Sequence, residues 1–308
     1  MKGGVALLSD QEYLQSLRSI PCPFGDIIVR NPWQHVADAQ SVNCKVTKDI
    51  VAVFEQVEKG FGQRSVLVRG VAGSGKTHTI NRLRRKLADS AFFVFITKLG
   101  GAQKMYGHVL SQLVLSLRQA VEGEEHLPLD MLFAGFLADS AVNALEGKEE
   151  SMKERLTVSS MKSSPMSAFT FFQNGNKSVD AVTRHILLGS PEIDRQLKAA
   201  AIAYANPEQR PAVIDWLQGE QLDEDELRNL GLRRSIHEED SAERTLRSLG
   251  AMAKGRRPIV FVFDQIEHLM DASAHRAFGP FGNLLSTMRN FVANQLCIVF
   301  TLPDYWDT

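Results

Sequence analysis

A chain of 308 residues, 44% hydrophobic and 23% charged, is long enough to bury a sizeable core and has the make-up of a soluble globular protein. Its net charge of -1 gives no global pull towards nucleic acid or an anionic membrane. No stretch reaches the roughly eighteen apolar residues of a membrane span, and the opening MKGGVALLSDQEYL is too short an apolar run for a signal peptide, so a cytoplasmic protein with no membrane partner is expected.

Residues 1–46 read as an arm, with a short helix over SDQEYLQSLRS and then an irregular stretch broken by Pro21, Pro23, Gly25 and Pro32. Phe24, Ile27, Ile28 and Trp33 would anchor it across a larger body. TKDIVAVFEQVEKG predicts a helix with Thr47 as N-cap and Ile50, Val51, Phe54 and Val57 on one face. RSVLVRG is a short strand ending at Gly70, KTHTINRLRRKLAD a helix, and AFFVFIT a strand buried on both faces of a parallel sheet. AQKMYGHVLSQLVLSLRQAV follows as a long helix burying Met105, Val109, Leu110, Leu113 and Leu117.

From 121 to 255 no buried strand is expected. LDMLFAGFLADSAVNALEG, EIDRQLKAAAIAYA and ERTLRSLGAMA read as helices, while the Ser-rich span 159–178 reads as a mobile loop. The sheet resumes at PIVFVFD (258–264) and LCIVFT (296–301). The predicted order is an arm (1–46), a first core segment with the phosphate loop (47–120), a helical insertion (121–255) and a second core segment (256–308). This order predicts an α/β parallel sheet with a large α-helical insertion projecting from the carboxyl edge, and GVAGSGKT (70–77) after the first strand makes the expected class a P-loop NTPase.

The chemistry starts at GVAGSGKT, which fits G-x-x-x-x-G-K-[ST] at every fixed position and lies between a strand and a helix. Backbone N–H groups of Gly70, Val71, Ala72, Gly73, Ser74, Gly75, Lys76, Thr77 and His78 are placed to curl around phosphate oxygens at a helix N-terminus. Lys76 would reach the β- and γ-phosphates of ATP, and the Thr77 hydroxyl would ligate Mg²⁺.

Such a loop needs a carboxylate at the end of a neighbouring strand, and Asp264 supplies it at the end of Ile259 to Phe263. The next residue is Gln265, an amide that cannot take a proton from water. Three readings stay open: Glu267 serves as the base, the chain binds ATP and hydrolyses it slowly, or Gln265 replaces a glutamate as a hydrolysis trap. Thr301, ending the last strand, is a candidate sensor of the γ-phosphate. Arg289 is the best available arginine finger, although a solvated surface role is the default there, as it is for Arg82, Arg84 and Arg85. The cysteines Cys22, Cys44 and Cys297 lack metal-ligand spacing and read as free thiols, and the scattered histidines 237, 268 and 275 suggest no metal beyond magnesium.

Asp264-Gln265-Ile266-Glu267-His268-Leu269 resembles the Walker B segment of STAND-type ATPases within the ASCE/AAA+ and initiator-like group. That resemblance implies Glu267 as the catalytic carboxylate, homo-oligomers formed through the ATPase core, and a helical lid after the sensor strand, which this sequence does not reach by Thr308. Trp216, Leu217, Gly219, Leu230 and Gly231 are similar to a W-L-x-G…L-G segment of BREX-associated bacterial defence ATPases. This implies a switch or motor subunit of an antiviral complex, with other protein subunits as partners and DNA or RNA met only indirectly. The alternative is a nucleotide-locked scaffold or an initiator-like nucleic-acid loading protein.

Overall fold

Ile259–Phe263 and Gln295–Thr301 are runs of β-branched and aromatic residues buried on both faces, which only the interior of a covered parallel sheet accommodates. A computed structural model describes residues 33, 42–97, 99, 104–146, 152–175, 177–270 and 278–303. Four strands, β1 (Arg64–Arg69), β2 (Phe92–Ile96), β3 (Ile259–Phe263) and β4 (Gln295–Thr301), pair in parallel in the order β1-β4-β3-β2. This is the parallel α/β sheet that the alternating pattern predicts. The register sets Arg69 beside Thr301 and Phe263 beside Val299. One expectation needs correcting: the strand of Asp264 is not a neighbour of β1, because β4 lies between them.

One face of the sheet is covered by α1 (Cys44–Glu58) and α2 (Lys76–Leu87), which bury Ile50, Phe54, Val57, Ile80, Leu83 and Leu87 against Val260, Val262, Ile298 and Phe300. Thr47 is not the N-cap of α1. The helix begins earlier, with Asn43 as the cap residue in a left-handed conformation (φ 53°), while Thr47 lies buried in the first turn and donates its hydroxyl to the Asn43 carbonyl. Trp33 packs edge-on to Phe93, with ring centroids 6.2 Å apart, so this part of the arm anchors on the same face. The predicted first helix, the anchors Phe24, Ile27 and Ile28, and Cys22 lie outside the described residues.

The other face carries α3 (Met105–Leu117), shorter than predicted but burying the expected stripe. Its Ser116 hydroxyl accepts from the Phe95 N–H on β2, satisfying a donor on that edge strand. Between α3 and β3 come α4 (Pro128–Leu145), α5 (Met152–Ser163), α6 (Ser167–Gln173), α7 (Lys177–Leu188), α8 (Arg195–Tyr204), α9 (Arg210–Gln218), α10 (Glu224–Asn229) and α11 (Glu239–Met252). The predicted mobile loop at 159–178 is therefore wrong. Its serines conceal Met161, Ala168, Phe169, Phe171 and Phe172, all buried, and their burial outweighs the local preference for irregular structure.

These helices do not simply project from the sheet edge. They fold back so that α9 and α11 pack on α3, and their residues share one core with Phe261, Phe263 and Val299. Glu239 fastens the return, accepting from the Tyr106 and Gly107 N–H groups at 3.0 and 3.1 Å in the first turn of α3. A carboxylate suits that positive helix end. Last, α12 (Phe278–Phe291) precedes β4. No helix among the described residues is long and apolar enough to cross a membrane.

Candidate active site at the phosphate loop

The loop from Gly70 to Gly75 joins β1 to α2. Gly73 (φ 75°) and Gly75 (φ 83°) hold left-handed conformations that an L side chain rarely adopts, which explains the second fixed glycine of the motif and the glycine at one of its variable positions. The Lys76 ammonium donates to the Gly70 and Val71 carbonyls at 2.7 and 3.2 Å, so the cation lies over the loop. Thr77 and His78 follow in the first turn of α2, half-buried. The Gly70 N–H donates to the Thr301 carbonyl at 3.0 Å, tying the start of the loop to the end of β4.

Asp264 sits where β3 leaves the sheet. It is only 4% exposed, its N–H donates to the Ile96 carbonyl at 3.0 Å, and its Oδ1 accepts from the Gln265 N–H at 3.0 Å. Gln265 turns with φ 60°, a conformation that redirects the chain into the short 3-10 helix Ile266–Met270 carrying Glu267. Glu267 Oε2 is buried and has no hydrogen-bond partner among the described residues. An orphaned buried carboxylate oxygen is costly, and it suits a group whose partner arrives with substrate.

Burial holds the Asp264 carboxyl above the usual carboxylate range. The Glu267 charge pushes the same way, and the Gln265 N–H and the Lys76 charge oppose it. Lys76 and Glu267, nearly two hundred residues apart in the chain, therefore both lie within electrostatic reach of Asp264 at the carboxyl end of the sheet. Thr301 is fully buried and its hydroxyl donates to the Leu302 carbonyl at 3.3 Å. Thr77 and Asp264 are the residues that would hold a divalent cation, and the buried Asp264 carboxylate has the hard oxygen chemistry that fits such an ion.

A family model for the AAA ATPase domain matches residues 45–293. The chain belongs to the AAA ATPase family. No curated protein and no solved structure matches it.

The AAA ATPase places further residues at this site that motif spacing does not reveal. The Asn43 amide donates to the Ser74 carbonyl at 2.8 Å and to the Thr79 hydroxyl at 3.3 Å, so the residue before α1 braces the phosphate loop. Arg82 is not a solvated surface residue. It is 6% exposed, and its guanidinium donates to the Val42 carbonyl at 2.6 Å, locking the same segment onto α2. The sequence signal for Asn43 is a polar residue just before a helical pattern, a signal that Thr47, four residues later, also carries. Arg289 is exposed on the last turn of α12.

The AAA ATPase family membership makes one consequence of the buried acid testable without nucleotide. A carboxyl whose folded value is raised costs the folded state nothing below the ordinary carboxylate range, where both states are protonated. The cost builds as pH rises from that ordinary range to the raised value and is complete above it. Asp264→Asn should therefore unfold at a higher temperature than the parent at pH 7.5, with the gap closing below about pH 4. The same variant should lose magnesium-dependent tightening of nucleotide. Thermal unfolding at the two pH values checks this, and a variant less stable than the parent at pH 7.5 contradicts the electrostatic account.

Proposed function

We propose that the chain is an ATP-hydrolysing switch or motor subunit in which Glu267 is the general base. The observation that carries this reading is the buried Glu267 oxygen, without a hydrogen-bond partner among the described residues and near enough to Asp264 for its charge to raise that carboxyl. In this scheme the loop N–H groups and Lys76 hold the phosphates, with Lys76 exchanging the Gly70 and Val71 carbonyls for phosphate oxygens. Thr77 and Asp264 hold Mg²⁺, which when bound neutralises charge on the transferring phosphoryl group. Glu267 orients and deprotonates the attacking water, because Gln265 is an amide and its left-handed backbone delivers the next carboxylate instead. Thr301, held to the loop through its own carbonyl, reports on the γ-phosphate end.

The D-Q-h-E-x-L pattern supports a STAND-type subdivision, and Trp216 with Leu230 and Gly231 supports a bacterial antiviral defence setting. Such a subunit works with other protein subunits, as a homo-oligomer through the ATPase core, in the cytoplasm. A switch gains from slow turnover, since the triphosphate then persists long enough to hold one conformation. Sizing the full chain with ATP, ADP and no nucleotide, alongside phosphate release, tests the reading. Larger particles with ATP that shrink as phosphate appears are expected. Nucleotide binding without any release of phosphate would favour the scaffold alternative.

A further inference from the structure

The helical segment holds a half-open cavity of about 960 Å³ with an unusual charge balance. Arg195, Arg228, Arg233 and Arg234 line it, and Asp194 is the one acidic residue in its lining. The Asp194 carboxylate already caps α8, accepting from the Gln196 N–H at 2.8 Å. Arg228 pairs with Asp225 at 2.7 Å, whereas Arg195, Arg233 and Arg234 are exposed and have no ion pair among the described residues.

The loop bearing two of these cations is held in place by neutral groups. The Gln196 side-chain Oε1 accepts from both the Arg233 and Arg234 main-chain N–H groups, at 2.9 and 3.0 Å. The Trp216 indole N–H donates to the Arg234 carbonyl at 2.9 Å. Trp216 is therefore more than core packing: it and Gln196 fix the main chain of the loop that carries the two arginines. Apolar side chains, among them Ile202 and Leu230, also line it, so the cavity combines cationic and apolar surface.

We propose that this cavity binds a compact phosphate-bearing ligand of about nucleotide size, separate from the phosphate loop. Guanidinium forks match phosphate oxygens bidentately, and a cavity of this volume is in the range of small-molecule sites. A single-stranded nucleic acid is disfavoured because the one aromatic ring lining the cavity, Phe172, is buried and offers no stacking platform. The cations also converge on one cavity, which suits a small polyanion better than an extended acidic peptide.

The test is calorimetric titration of inorganic tripolyphosphate into the full chain with the phosphate loop first saturated by Mg·ADP. Saturable one-to-one binding is expected, weakened about tenfold or more by the double variant Arg233→Ala, Arg234→Ala, whose exposed side chains leave the loop's main-chain bonds in place. No binding by the parent, or equal binding by the double variant, overturns the proposal. Parallel titrations use a twelve-nucleotide oligo-dT and a poly-glutamate peptide. Arginine-dependent binding of either, with none of tripolyphosphate, also overturns it in favour of a macromolecular partner.

Discussion

Lys76→Ala is expected to weaken ATP binding by roughly 30- to 4,000-fold, from a loss of about 2–5 kcal/mol when a desolvated charge contact is removed. The ammonium already lies over the loop, bonded to the Gly70 and Val71 carbonyls, and the described structure offers the phosphates no comparable side-chain cation there. Equilibrium titration with a fluorescent ATP analogue measures the effect, and an unchanged melting temperature shows that the fold survives. Parental affinity in a folded variant would mean that the loop from Gly70 to Thr77 is not where the nucleotide sits.

Glu267→Gln should slow phosphate release by about 10²–10⁴-fold while leaving ATP binding largely intact. The glutamine keeps the size of the side chain and loses the proton acceptor, and any ATP-dependent assembly should become longer-lived. Gln265→Glu in the parent is the opposing measurement. Gln265 is exposed and sits in a strained turn, so a glutamate there has no built position from which to align water. Little gain from Gln265→Glu, together with the Glu267→Gln loss, keeps Glu267 as the base. A large gain with Glu267→Gln silent would show a hydrolysis-impaired chain and a misplaced base.

Much of this site was legible in the residues themselves. The motif from Gly70 to Thr77 has a fixed spacing because backbone geometry around phosphate tolerates little else, and five apolar residues ending in Asp264 mark a buried strand that must surface somewhere. The order of strands was not legible, since sequence order says nothing of β4 inserting between β1 and β3. The helices over 159–178 were hidden for another reason. Serine content suggested a loop, while the decisive energy came from Phe169, Phe171 and Phe172 meeting helices distant in the chain, a tertiary effect that no local window contains. The buried anchoring role of Arg82 and the bracing role of Asn43 are not legible in sequence because both donate to main-chain carbonyls of residues whose position only the fold determines.

The strand order also has a consequence for how the molecule comes into being. β1 and β2 emerge first from the ribosome, yet they occupy opposite edges of the sheet and never pair with each other. Every main-chain bond that either makes within the sheet is to β3 or β4, whose residues follow Ile96 by more than one hundred and sixty positions. At ordinary rates of synthesis that is a wait of roughly 10–30 s during which β1 and the apolar β2 have no ladder to join. The nascent chain must shelter Phe92–Ile96 by other means, and α3 with its Ser116 clasp on Phe95 is the cover made in the interval. The bond that fastens the phosphate loop to Thr301 can form only once β4 has taken its place between β1 and β3.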